Sequence, residues 1–391
     1  MSESPWAFLA MSDYQAPGLY SASAARLRLH TLKHWLVNQW QTQSPAPIKQ
    51  ESELRPLSAE TLQHWVRPID WQPGIDALDQ VLEPWWQSKP GSAAVQWLVS
   101  PPGSRLAELV NAWAGYHQLT LCTAPAPEQL LNGHDAQKEL WPDPHQPWVI
   151  LHLEHYYLRH LHGLALIRSL LNRAMRGDLG LGVILLDSWA LTFLRQLGVY
   201  LPDNPWTLQP FDGQGLARAF LDWVAPEQRS SWVCRHAASG KVVLSQAMLD
   251  EAQISAELKQ LAVYCRGNLG LARTYWRARL KAEPEPEQDT DSEHYQASVW
   301  LGDMPEPVML PSTLAHDTAL ILHVLLLHNG LPDGVLPELL PMPAYGIDAR
   351  LAELAALGVV ELCDTRWRIA EQAYIAVREY LRGRDFVTDD F

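Results

Sequence analysis

A turn that could cradle phosphate lies within residues 95–110, VQWLVSPPGSRLAELV, where an apolar strand pattern runs into a Pro/Gly turn and then into a helical pattern. A phosphate-binding loop asks for Gly, any four residues, then Gly-Lys-Ser/Thr. Backbone N–H groups wrap the phosphates, the Lys reaches the terminal ones and the hydroxyl holds Mg²⁺. Here those places fall on Ser100, Arg105, Leu106 and Ala107, with Gly103 and Ser104 inside the turn. The backbone of residues 101–105 and the start of the following helix still offer donors to an anion, and Arg105 offers a substitute cation. The Lys and the Mg²⁺ hydroxyl are absent. A second cluster, His152, His155, His160 and His162 around Glu154, raises zinc chemistry. Its order, HLEH, is not HExxH, in which both histidines share one helical face, so these residues are read as interface or solvated histidines and no metal site is expected.

The elements that must hold the turn are legible around it as an alternation of apolar run, turn and helix, the pattern of a parallel α/β sheet. Strands are predicted over 95–99, 119–123, 148–153 and 183–186. Helices are predicted over 75–86, 106–116, 164–175 and 191–197, with helical pieces over 128–131 and 137–140. Upstream, residues 24–40 set Leu27, Leu29, Leu32, Trp35, Leu36 and Trp40 near one helical face, and Ser58 caps a further helix start. Beyond Pro205 the pattern turns helical over 215–224, 247–264 and 268–280, with a partly extended piece at 231–244. Residues 281–312, in which Glu283, Glu285, Glu287, Asp289, Asp291 and Glu293 alternate with Pro and polar residues, read as a solvated extended linker. Helices over 315–328, 335–340 and 347–357 follow, then strands 359–363 and 366–370 about the turn Asp364-Thr365, then a helix over 374–382. Three helices and a hairpin in that order predict a winged helix.

A chain of 391 residues predicts two or three domains, and 47 % hydrophobic residues supply their cores. The net charge of −14 argues against a protein that coats nucleic acid through its overall field, while leaving a local basic patch open. Residues 316–391 carry six Lys/Arg against twelve Asp/Glu, and Arg350 is the sole cation of the module's third predicted helix. Affinity for DNA depends chiefly on phosphate neutralisation, so the module is expected to dock protein rather than DNA. Cys122, Cys234, Cys265 and Cys363 form no CxxC pair and are read as reduced, buried residues of a cytoplasmic protein. The N-terminal residues lack a signal-peptide pattern. Apolar runs such as 319–327 are too short to span a bilayer, so no membrane insertion is expected. The chain holds 18 Trp, nearly four times the common usage of roughly one in eighty. Most must be core, and the pair Trp85-Trp86 at a predicted helix end is an interface candidate.

These motifs, in this order, resemble the AAA+ superfamily over residues of about 75–391. The implied fold is α/β, a three-layer parallel-sheet P-loop NTPase-like core with a helical lid and a C-terminal winged helix. The corresponding domains are an N-terminal helical extension 1–74, a degenerate core 75–210, a lid 211–280, an acidic linker 281–312 and a winged helix 313–391. Residues 100–107 resemble the family's phosphate loop, with Leu106 and Ala107 replacing its Lys and hydroxyl. The strand before Glu154 resembles its second acidic motif, in which an Asp organises the Mg²⁺ shell and a Glu activates water. If Glu154 takes the Glu place, Leu153 occupies the Asp place. By the same resemblance Ser188 stands for the polar sensor of the terminal phosphate and Arg273 for the lid's nucleotide-reaching Arg. Arg159, Arg168, Arg173 and Arg176, after the acidic strand, lie where related ATPases can face a neighbouring subunit or DNA, or form a solvated helical face.

Phosphoryl transfer is catalysed by positioning and electrostatics, so losing both the Lys and the Asp place removes its main clamps. The chain is therefore expected not to be an enzyme and to need no cofactor, with ATP or ADP binding left open. The expected role is a non-catalytic AAA+-like scaffold or adaptor that docks protein partners. The alternatives are a DNA-associated initiator- or transposition-like factor that has lost turnover and a nucleotide sensor without hydrolysis.

Overall fold

A computed structural model describes residues 4–18, 53–87, 95–132, 141–199, 201–283, 298–306, 308, 310 and 316–391. The helix expected over 24–40, the helical piece over 137–140 and the centre of the acidic segment lie outside these residues. The chain divides into two units. The first joins Met1–Tyr14, Asp70–Gln209 and Glu306–Phe391, and the second joins Gln15–Ile69 and Pro210–Pro305.

In the first unit the described elements begin with β1 (Phe8–Ala10), α1 (Gln72–Trp86), β2 (Val95–Ser100), α2 (Leu106–Tyr116), β3 (Thr120–Leu121) and α3 (Pro127–Leu131). They continue with β4 (Trp148–Ile150), α4 (Ala165–Arg176), β5 (Gly182–Asp187), α5 (Ser188–Gln196) and β6 (Trp206–Leu208). The strands form one sheet in the order β1-β6-β2-β5-β4-β3. All neighbours are parallel except β1, which runs antiparallel to β6 at the edge. The central β5 is buried at every residue, so its sequence is a continuous apolar run rather than an alternation, as in strands covered on both faces. Leu106, Leu109, Val110, Trp113 and Ala114 are the buried stripe of α2, at the spacing of one helical face. Gly182 begins β5 directly against the Trp148 ring, whose indole N–H donates to the Leu179 carbonyl at 2.6 Å.

The C-terminal part of this unit contains α6 (His316–Leu327), β7 (Leu331–Pro332), α7 (Leu336–Leu339), α8 (Ala344–Ala356), β8 (Val360–Cys363), β9 (Arg366–Ile369) and α9 (Tyr374–Arg382). Its strands form an antiparallel sheet in the order β7-β9-β8. Asp364 and Thr365 both take positive φ, 48° and 72°, the backbone of a two-residue hairpin whose twist matches its strands. Helix α6 buries eight of its residues, including consecutive Val324, Leu325, Leu326 and Leu327. A helix apolar on all sides is an interior helix.

The second unit carries more strand than the one partly extended piece expected at 231–244. Helices Gly213–Asp222, Gln246–Asp250, Ala256–Tyr264 and Leu269–Arg279 each start at a side-chain cap: Asp212, Ser245, Ser255 and Asn268. They accompany a five-stranded sheet in the order Arg55–Pro56, Leu280–Ala282, Ser298–Leu301, Val233–His236, Val242–Ser245. Two of these strands come from the segment read as linker. Leu280–Ala282 pairs antiparallel with Ser298–Leu301, which runs parallel to Val233–His236. Buried Trp300 and Leu280 anchor them, and that apolar content outweighed the acidic residues around it. The Ser58 cap is present: its Oγ accepts from the Thr61 N–H at 3.1 Å.

Candidate functional site

Parallel strands deliver their C-terminal ends to one edge of a sheet, where an α/β fold usually binds its ligand. Here Ser100 at the end of β2 pairs with Asp187 at the end of β5, so the turn at residues 101–105 leaves the sheet beside Ser188. The turn keeps a loop-like backbone. Gly103 and Arg105 have φ of 73° and 66°, and the Ser104 N–H donates to the Pro101 carbonyl at 3.3 Å. Arg105 thus holds a left-handed conformation that normally favours Gly, at the position where the phosphate-loop pattern has one.

The side chains have other partners. Leu106, in the lysine's place, is 1 % exposed and part of the core. The Arg105 guanidinium pairs with Glu108 at 3.0 Å and with Glu371, just beyond β9. The cation offered as a phosphate ligand is therefore held by two carboxylates.

Glu154 does not end a strand: β4 stops at Ile150, and Glu154 sits in a short 3-10 turn, Leu153–His155. It is 2 % exposed and its carboxylate oxygens are occupied. Oε1 accepts from His152 Nδ1 at 2.9 Å and from Asn329 Nδ2 at 3.3 Å, and Oε2 accepts from the Asp187 N–H at 3.2 Å. The His328 Nδ1 donates to the Glu154 carbonyl at 3.4 Å, while its Nε2 accepts from the Arg159 N–H at 3.3 Å. Burial would raise the Glu154 pKa. The hydrogen bond and charge of His152, then the charge of His155, outweigh burial and hold it well below the carboxylate range. Asp187 shifts the opposite way, pushed well up by burial and then by the Glu154 charge. Its Oδ1 caps α5 by accepting from the Trp189 N–H at 2.8 Å.

Ser188 is equally engaged. Its Oγ donates to Asp389 Oδ2 at 2.6 Å, and Tyr374 Oη donates to the same oxygen at 3.2 Å. Arg378 closes the set with Nε to Asp389 Oδ1 and Nη2 to the Asp389 carbonyl, both at 2.8 Å. Phe391, two residues on, is buried against Tyr14 with ring centroids 4.6 Å apart. The strand-end edge of the sheet is thus stitched to the C-terminal part of the unit at three places: Arg105 with Glu371, Glu154 with His328 and Asn329, and Ser188 with Asp389.

The structure therefore gathers Ser100, Gly103, Ser104, Arg105, Glu154 and Ser188 at one edge. Arg273 belongs to the second unit, where its Nη2 donates to the Arg67 and Val66 carbonyls at 3.1 and 3.4 Å and its guanidinium lies over the Trp223 ring, 5.3 Å from the centroid. Among the interface candidates Trp85 is buried core, whereas Trp86 is 41 % exposed. Arg173 lies over the Trp141 ring at 5.0 Å, and Arg350 pairs with Glu353 at 2.6 Å. Arg159 and Arg168 are exposed. Sequence reasoning missed Asp389, Arg378, Glu371, His328 and Asn329. One signal was available: Arg378 falls within the buried stripe Tyr374, Val377, Tyr380, Leu381 of α9, and a cation there demands a buried acid. His152 and His155 stack at 5.1 Å and His160 meets His162 at 5.5 Å. Among the described residues no three His, Cys, Asp or Glu side chains converge as a metal site, and no helix is long and apolar enough to cross a membrane.

No protein-family model matches this sequence, and no curated protein matches it. Among solved structures, the Walker-type ATPase PABY2304 of Pyrococcus abyssi aligns with 84 % of this chain and 98 % of that chain, at 12 % identity and a TM-score of 0.28.

Proposed function

We propose that this chain is a non-hydrolysing AAA+-like scaffold, whose C-terminal winged helix is fastened across the edge at which the ATPases it resembles bind nucleotide. The fold is kept for docking protein partners. The observation that carries this reading is the use made of the three nucleotide-site positions: Arg105, Glu154 and Ser188 all bind the C-terminal module. Support for the family reading comes from the strand order, in which the fourth strand of the parallel set lies between the first and the third, as it does in those ATPases. Support for loss of turnover comes from buried Leu106, because a leucine cannot neutralise charge developing in phosphoryl transfer.

Docking of protein rather than DNA is favoured by the pairing of Arg350 with Glu353, which spends the one cation of α8 within the helix. It is favoured also by exposed aromatics at the ends of α1 and α2. Trp86 lies 5.8 Å and Tyr116 5.1 Å from the ring of His117 between them, and Tyr116 is 63 % exposed. Exposed Trp and Tyr in a cluster are the residue types that dominate protein interfaces.

The decisive experiment is a steady-state assay of Mg²⁺-dependent ATP turnover with a parallel thermal-shift titration of ATP and ADP. No turnover and no shift are expected. Turnover abolished by Glu154→Gln would overturn the reading, and a saturable ADP shift without turnover would replace it with a nucleotide sensor.

A further inference from the structure

A cavity of about 380 Å³ opens beside α5, α6 and the segment after α9, within the size range of small-molecule sites. None of its lining residues belongs to the phosphate-loop turn, and the scaffold reading makes no use of it. Its walls are aromatic. Trp189 and Phe386 flank His323 with centroids 6.0 and 5.1 Å from the imidazole, both edge-on, and Phe193 stacks on Tyr157 behind. Its rim is cationic. Arg159 and Arg384 both line it, against a single carboxylate, Asp385. Arg159 is exposed and forms no ion pair among the described residues, while Arg384 lies over the Tyr380 ring at 3.7 Å. The Arg159 charge reaches inward as well, since after burial it is the next influence lowering the His323 pKa.

One polar atom in the lining lacks a partner. His323 bonds the Val387 backbone, but its buried Nδ1 accepts no hydrogen bond. That acceptor calls for a donor, which an oxyanion does not offer, so a ligand's charge belongs on the arginines and not on His323. Burial pushes this imidazole down to about 4, which keeps it neutral and its Nδ1 an acceptor at physiological pH.

We propose that this cavity is a binding site for a small organic anion carrying a flat ring, with Arg159 and Arg384 receiving the phosphate or carboxylate and the ring seated among Trp189, Phe193 and Phe386. The charge chemistry suits a guanidinium, which binds both kinds of oxyanion through paired N–H groups. The ring chemistry suits aromatic walls that offer edges and faces together. Asp385 at the rim opposes any anion there, so the ring's contacts are needed beside those of the arginines.

The test is isothermal titration of the full chain with phenyl phosphate and with benzoate, against inorganic phosphate and benzyl alcohol as single-feature controls. One or both ring-bearing anions should bind saturably below about 1 mM, and each control should bind at least tenfold more weakly. Arg159→Ala should weaken binding about tenfold or more, the range for a hydrogen bond to a charged group, with an unchanged melting temperature because Arg159 is exposed. Thr192→Trp, which adds bulk to the lining while leaving both arginines in the sequence, should abolish binding. Absence of saturable binding by both ring-bearing anions would overturn the proposal. So would benzyl alcohol or inorganic phosphate binding as tightly as the ring-bearing anions, or an Arg159→Ala protein that binds unchanged.

Discussion

At the scale of single residues, Arg105 separates backbone from side chain. Its left-handed φ of 66° costs a non-Gly residue roughly 1–2 kcal/mol. Its two ion pairs are half-exposed, and such pairs contribute about 0–1 kcal/mol each. The two effects nearly cancel, so Arg105→Gly is expected to leave unfolding free energy within about 1 kcal/mol of the parent. Urea denaturation checks this, and a loss well beyond that range would mean the Glu371 contact matters more than surface ion pairs do. Glu154 is the contrasting case. Buried, with His152 and Asn329 on one oxygen and the Asp187 N–H on the other, it stays ionised because these partners are donors to its charged form.

At the scale of elements, the helix α2 and the strand β5 position the site, and their packing is tight where they do so. Gly182 at the start of β5 has the Trp148 ring where a Cβ would stand, and that ring is tied to Leu179. Gly182→Ala should therefore destabilise by about 1–3 kcal/mol, the cost of overpacking a filled core, read as a lower midpoint in urea at unchanged slope. Most of the unit's elements were legible because their signals are local. Helix α2 spans the predicted residues 106–116 and α9 the predicted 374–382, both from apolar spacing. The strands β1 and β6 were not, since three residues each carry no period, and their pairing across Phe8 and Leu208 is fixed only by the sheet. Glu154 was legible as a candidate by its place after an apolar run, but not what holds it: His328 and Asn329 stand far along the chain, and nothing local marks an asparagine as a carboxylate's partner. The acidic linker misled for a similar reason, because charge dominated a composition in which Trp300 and Leu280 supplied the strand-forming residues.

At the scale of the whole molecule, the same buried groups make stability depend on pH. His328 is pushed down to about 3 and His155 and His323 to about 4, by burial first in each case. A lowered histidine is neutral in the fold and must gain a proton on unfolding below its ordinary value of 6.5. Its contribution is full above about pH 6.5 and is lost as pH falls. Glu154 acts in the same direction at lower pH, being held below its ordinary value of 4.5. Asp187 and Asp389 act oppositely. Burial raises both, with Glu154 adding to the first and Arg378 relieving the second, so their contribution is largest when they are protonated and is lost as pH rises through their folded values. The net curve therefore mixes signs, but one histidine can be isolated. His328→Gln keeps an acceptor for the Arg159 N–H and a donor for the Glu154 carbonyl while removing the titration. Between about pH 4 and pH 6 the parent's stability should then rise with pH more steeply than the variant's, by up to about 1.4 kcal/mol per pH unit, the value of one proton. Urea unfolding at stepped pH measures both slopes, and parallel lines would mean that His328 is not neutral at the junction between Glu154 and the C-terminal module.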